Sequence, residues 1–238
     1  MNPTKILEKP LFWIVTVGVL FSIPLIQAYR RPPVEIPPVL GQISNFELLN
    51  QNGTMVNWES SFKGSILITN FVFTTCPDVC PLLTQQMSKI QDRIIGSGAS
   101  VKLLSISVDP DNDQPQVLKK YGEKYGARFN VWTFLTGDLK SVYQAVVNGF
   151  KVALDSKEYR DISKVDASDM SYELMGITHG ENFVIVDQIG QIRAYKHARN
   201  EAEINDIIKM VGILVNQNPK FAPKPTVLDA PAAPEVTR

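Results

Sequence analysis

The chain has 238 residues, 44% of them hydrophobic, and 24 basic side chains balance 24 acidic ones to a formal net charge of zero. That is enough for one domain of ordinary size with attachments. Without a net positive charge or a Lys/Arg-rich block, the chain lacks the phosphate-neutralising surface that nucleic-acid binding needs. Its two cysteines are too few for a disulfide-dense scaffold or a four-thiolate zinc site, which leaves them either incidental or chemical.

From Leu11 to Ala28 the sequence LFWIVTVGVLFSIPLIQA runs 18 residues without a charge. At about 1.5 Å per residue this covers about 27 Å, nearly the hydrocarbon core of a bilayer. The run is long for a signal-peptide core, and Ile26-Gln27-Ala28 puts a bulky residue where cleavage wants a small one. An uncleaved single-span anchor over residues 1–30 is therefore predicted, while Lys5 and Lys9 before it and Arg30 and Arg31 after it leave its orientation tied. Residues 31–40 hold four prolines and predict a stiff extended spacer. The Pro/Ala-rich stretch 217–238 predicts a disordered tail, so the folded unit is expected over residues 41–216.

Within that unit, Asn52-Gly53 sits between alternating runs in FELLNQNGTMVNW, a strong hairpin signal closed by Phe62-Lys63-Gly64. SILITNFVF, Ser65 to Phe73, reads as a strand buried on both faces. A helix is predicted from Leu82 to Ile95, a strand from Val101 to Val108 ended by Asp109-Pro110, a helix from Gln114 to Tyr125 and a strand from Val131 to Leu135. Asp138 can cap a helix that turns Leu139, Val142, Tyr143 and Val146 to one face. NFVIVDQIGQIRAY, Asn182 to Tyr195, predicts a hairpin around Gly190, and Glu201 to Val215 a last amphipathic helix. Strands alternating with helices imply parallel pairing through right-handed crossovers. With a hairpin in front and an antiparallel hairpin behind, the order is that of an α/β thioredoxin-like fold.

The two cysteines fall where the first buried strand meets the next helix, in FTTCPDVCP: Cys76 and Cys80, with three residues between them. A thiol at a helix N-terminus feels the positive end of the helix dipole, which favours the thiolate needed by a nucleophile or a metal ligand. On a helical turn, i and i+4 Cβ atoms lie about 5–6 Å apart, against about 3.5–4.5 Å in a relaxed disulfide. Dithiol oxidoreductases of this fold usually space their cysteines by two residues. The spacing tilts toward a metal and leaves disulfide formation open.

A third ligand must come from His179 or His197. His179, in GITHGENFVIVD, stands just before the final hairpin, at the loop that carries a cis-proline facing the cysteines in thioredoxin-like proteins; this sequence has no proline there. An imidazole at that place would complete a Cys2His site, whose thiolates suit copper(I) and whose imidazole tolerates copper(II). His197 reads as a surface residue. Asp78, between the cysteines, is a candidate for tuning the site's charge. Asp109 reads as a turn former, and Met170 and Met175 as packing residues with some affinity for copper(I). The polar stretch from Lys151 to Tyr172 reads as a solvated loop beside the site.

With these residues in view the chain resembles the Sco (SenC/PrrC) family, membrane-anchored copper proteins that serve cytochrome c oxidase. The resemblance rests on the N-terminal span, FTTCPDVCP, SVDPDND and the histidine before FVIVDQIG, and it covers roughly residues 41–215. It implies that Cys76, Cys80 and His179 bind copper for the dinuclear copper centre of an oxidase subunit, or that they maintain that subunit's thiols. It also implies a compartment reductant for the pair, an inner-membrane location and a domain on the periplasmic or extracytoplasmic side. Three other readings stand beside it. In a thiol–disulfide oxidoreductase Cys76 attacks and Cys80 resolves; in a peroxidase Cys76 is the nucleophile; and a structural Cys76–Cys80 disulfide closes too small a loop to stabilise much.

Overall fold

The computed structural model describes residues 10–29, 35–77, 79–96, 100–152, 154 and 182–217. The chain divides into two units, Met1–Glu35 and Ile36–Arg238. In the first, helix α1 (Pro10–Tyr29) starts on a proline, whose fixed φ and missing N–H suit a first helical position. It exposes Trp13, Ile14, Val17, Leu20, Phe21 and Ile26, an apolar surface with no polar face. Among the described residues no helix is long and apolar enough to cross a membrane.

The second unit is built on one mixed sheet in the order β1-β8-β7-β4-β5-β6-β2-β3. Its strands are β1 (Gly41–Gln42), β2 (Glu47–Asn50), β3 (Met55–Asn57), β4 (Ile66–Val72), β5 (Val101–Ser107), β6 (Trp132–Thr136), β7 (Asn182–Val186) and β8 (Gln191–His197). Three parallel strands, β4, β5 and β6, form the centre. The hairpin β7–β8 adds antiparallel to β4, and β2 adds antiparallel to β6. Every residue of β4 is buried, as its unbroken β-branched and aromatic run predicts for a strand covered on both faces.

Helices α3 (Val79–Ile94), α4 (Pro115–Lys124) and α6 (Glu201–Val215) cover one face, where Leu83, Met87, Ile90, Leu118, Ile204 and Ile207 pack on Ile66, Ile68, Leu103 and Phe134. The other face is covered by α2 (Trp58–Ser61), α5 (Leu139–Tyr143) and a π-helical stretch, Gln144–Gly149. There Trp58, Phe62, Val142, Val146 and Phe150 meet Leu67, Phe71, Leu104 and Ile106. The expected β-α-β-α-β unit with hairpins before and after it is what forms.

Three boundaries differ in ways that sequence periodicity does not reveal. Helix α3 begins at Val79 rather than Leu82, because Pro81 falls in the first turn, where its missing N–H costs nothing. The turn expected at Phe62 to Gly64 is preceded by α2, capped by Asn57 through its bond from Ser60 N at 2.9 Å. The helix capped by Asp138 gives way after one turn to the π-helical stretch, as Ala145, Val146 and Val147 are drawn into the core.

The β7–β8 turn is pinned by a buried ion pair. Asp187 accepts the Ile189 and Gln191 amides at 3.1 and 2.8 Å and the Arg193 Nε–H at 2.8 Å. The guanidinium also donates to Gln191 Oε1 at 2.9 Å and to the Pro37 carbonyl at 2.8 Å. Breaking a buried pair by removing one member leaves an uncompensated charge. Arg193→Met should therefore destabilise the domain by about 3–5 kcal/mol, read as a lower denaturation midpoint; a midpoint equal to that of the unaltered protein would refute the assignment.

Candidate functional site

Strands β4 and β5 pair in parallel up to Val72↔Ser107, so the segments that follow them leave the sheet side by side. After β4 the chain turns at once, with the Cys76 amide donating to the Phe73 carbonyl at 3.2 Å, and α3 begins at Val79 with Cys80 in its first turn. Cys76 is half-buried, Cys80 is buried, and neither is in a disulfide. The Cys80 side chain is hydrogen-bonded to that of Cys76 and receives the Phe73 N–H. The two cysteines are thus brought into contact as the sequence anticipates.

The electrostatics of Cys80 differ from that expectation. Burial pushes its thiol up to about 12, with smaller contributions in the same direction from Cys76 and from the charge of Asp113; the Phe73 N–H acts the other way. Desolvation of a thiolate outweighs whatever the helix N-terminus contributes. Cys80 is therefore a protonated thiol at neutral pH.

One turn along α3, Thr84 donates its hydroxyl to the Cys80 carbonyl at 2.7 Å and lies 2.8 Å from the Tyr121 hydroxyl. Since the single Thr84 proton is committed to the carbonyl, Tyr121 is the donor of the second bond. This chain fixes the first turn of α3 against α4. Burial also raises the Tyr121 phenol above its ordinary value.

The neighbouring loop after β5 supplies Asp113, which is fully buried. Its carboxylate accepts the Thr74 N–H at 3.0 and 3.3 Å, the Thr74 hydroxyl and the Ser107 hydroxyl at 2.6 Å. Its own amide donates to the Asp109 carbonyl at 2.9 Å, and Asp109 takes the side-chain amide of Asn112 at 3.0 Å. Asp109 is thus a turn former, as the sequence suggests. Thr74 and Asp113 are not singled out by sequence; SVDPDND holds three aspartates around Pro110 and nothing in it distinguishes Asp113 from Asp109 or Asp111.

His179, Asp78, Met170 and Met175 lie outside the described residues, as does the stretch from Lys151 to Tyr172 apart from Lys151, Val152 and Leu154. His197 is exposed at the end of β8, as expected. Among the described residues no three His, Cys, Asp or Glu side chains are grouped to hold a metal ion. Cys76 and Cys80 offer two soft sulfur donors side by side.

Comparison with known proteins gives a family model described as SCO1/SenC, matching residues 40–212. The SCO1 protein homolog of Bacillus subtilis is 29% identical over 175 residues, spanning 73% of this chain and 83% of its own. A solved structure of BsSco, described as a disulfide switch in a member of the Sco family of cytochrome c oxidase assembly proteins, superposes with a TM-score of 0.62 at 27% identity, covering 77% of this chain and 99% of that one. Bradyrhizobium japonicum ScoI with copper bound shares the fold, with a TM-score of 0.52 at 24% identity over 71% and 99% of the two chains.

The difference in burial between the two thiols has a direct readout. In the metal-free reduced protein at pH 8, iodoacetamide should modify Cys76 well before Cys80, because the thiolate is the nucleophile and Cys80 is both covered and protonated. Peptide mapping that found equal rates at the two sites would contradict this geometry.

Proposed function

The chain belongs to the SCO1/SenC family, and we propose that it is a membrane-anchored copper metallochaperone. It takes copper as cargo on Cys76, Cys80 and His179 and passes it to the subunit that houses the dinuclear copper centre of cytochrome c oxidase. The observation that carries this reading is the pair of hydrogen-bonded thiols, Cys76 in the turn that follows β4 and Cys80 in the first turn of α3, at the end of the parallel strands. Thiolate sulfur is soft and suits copper(I), and an imidazole widens the set to copper(II). The copper held by Bradyrhizobium japonicum ScoI and the oxidase-assembly role stated for the BsSco family support the same cargo and destination.

Loading requires the Cys80 proton to leave as the cation arrives, since a coordinating thiol is a thiolate. The half-buried Cys76 is the accessible ligand through which exchange with a partner site begins. A thiol reductant of the same compartment keeps the pair reduced, because an oxidised pair cannot bind. The anchor is assigned to the run Leu11 to Ala28 on its sequence alone, 18 residues without a charge, since no described helix meets the length and apolarity of a membrane span. Residues 31–40 act as spacer, 41–216 as the copper-binding domain and 217–238 as a tail. The domain stands on the extracytoplasmic side of the inner membrane.

A second reading is favoured by the contact between the thiols themselves. As a thiol–disulfide oxidoreductase, Cys76 attacks a target disulfide and Cys80 displaces the target thiol from the mixed disulfide, leaving the pair oxidised and the target reduced by two electrons. The disulfide switch described for BsSco supports it.

Copper titration of the reduced protein beside His179→Ala, with a competing chelator, separates the two. One copper per chain with a sulfur-to-copper(II) absorption, weakened at least about tenfold in affinity by the substitution, is the expected outcome. Equal and poor competition by both proteins would overturn the chaperone reading, and turnover of a dithiol substrate that survives His179→Ala would establish the second.

A further inference from the structure

Asp113 is fully buried, yet among the described residues no Lys, Arg or His is hydrogen-bonded to it; its partners there are one amide and two hydroxyls. A buried carboxylate is expensive unless each lone pair is used, and this one is used to join two separate loops. Two of its three donors belong to Thr74, two residues before Cys76, and the third is Ser107, at the end of the adjacent strand. We infer that Asp113 is a positioning residue for the cysteine pair: it pins the start of the FTTC turn, so holding Cys76 against Cys80, and sets a carboxylate against Thr74, two residues from Cys76.

The inference rests in part on the copper reading and adds a consequence to it. Two thiolates and a neutral imidazole around copper(I) carry one net negative charge, and around copper(II) none. A fixed anion nearby opposes the first more than the second. Asp113 thereby keeps copper(II) competitive at a site whose sulfur ligands by themselves favour copper(I).

Two substitutions test the two halves. Thr74→Val is isosteric and removes one bond to Asp113 while keeping the charge. Equilibrated with glutathione and glutathione disulfide, the protein closes its Cys76–Cys80 disulfide as one glutathione disulfide becomes two glutathiones; Thr74→Val should lower that equilibrium constant about fivefold by loosening the turn. Asp113→Asn keeps an acceptor oxygen and removes the charge, and should shift the ratio of copper(I) to copper(II) affinity about tenfold toward copper(I), while Thr74→Val leaves the ratio within about twofold.

A Thr74→Val equilibrium constant equal to that of the unaltered protein overturns the positioning role, and an unchanged copper ratio in Asp113→Asn overturns the charge role. Should Asp113→Asn lose its cooperative melt, the Thr74→Val measurement decides the positioning role alone. An unaltered protein that binds no copper overturns the charge role together with the chaperone reading, and the glutathione measurement still decides positioning.

Discussion

The register of one strand pair governs this molecule. Strands β4 and β5 run parallel from Ile66↔Val101 to Val72↔Ser107 and end at the same level, so the turn that carries Cys76 and the loop that carries Asp113 emerge together. Side chains alternate along a strand, and a slip of one residue would send the Ser107 hydroxyl to the opposite face. The register is protected by burial on both sides, with Ile68 and Leu103 in one core and Leu67 and Leu104 in the other. What holds the chemistry in place is therefore apolar packing some distance beneath it. The polar contacts at the top, Ser107 and Thr74 onto Asp113, are as precise as that packing makes them.

The balance at the site is between desolvation and contact. Burial makes a thiolate at position 80 expensive, which protects a resting dithiol from stray oxidation, because the thiolate is the reactive form. Contact between the two sulfurs makes the same pair ready for a soft cation or for an S–S bond. A site of this kind is inert until something with positive charge or oxidising power arrives. Cys76 is the more exposed partner.

Much of this was legible in the sequence because local rules and tertiary structure agree. The Asn52-Gly53 hairpin, the doubly buried strand that became Ile66–Val72 and the helix Glu201–Val215, capped by Asn200, each carry their own periodicity and punctuation. The cysteines were legible because their place at a strand–helix junction restricts what they can do. The π-helical stretch Gln144–Gly149 was not, since it arises from how its side chains fit a core assembled from distant strands. Nor was Asp113: in SVDPDND three aspartates look alike, and only the pairing of β4 with β5 sets one of them against Thr74. The protonation of Cys80 was misjudged for a related reason, as helix position is local and burial is not.

The clamp between Arg193 and the Pro37 carbonyl bears on where the folded unit begins. The first strand starts at Gly41, and a fragment cut there would contain all the described strands and helices of the domain. It would also remove the carbonyl that receives a guanidinium N–H of the buried Arg193. The end of the proline-rich segment thus belongs to the domain, whose N-terminal limit lies upstream of its first strand.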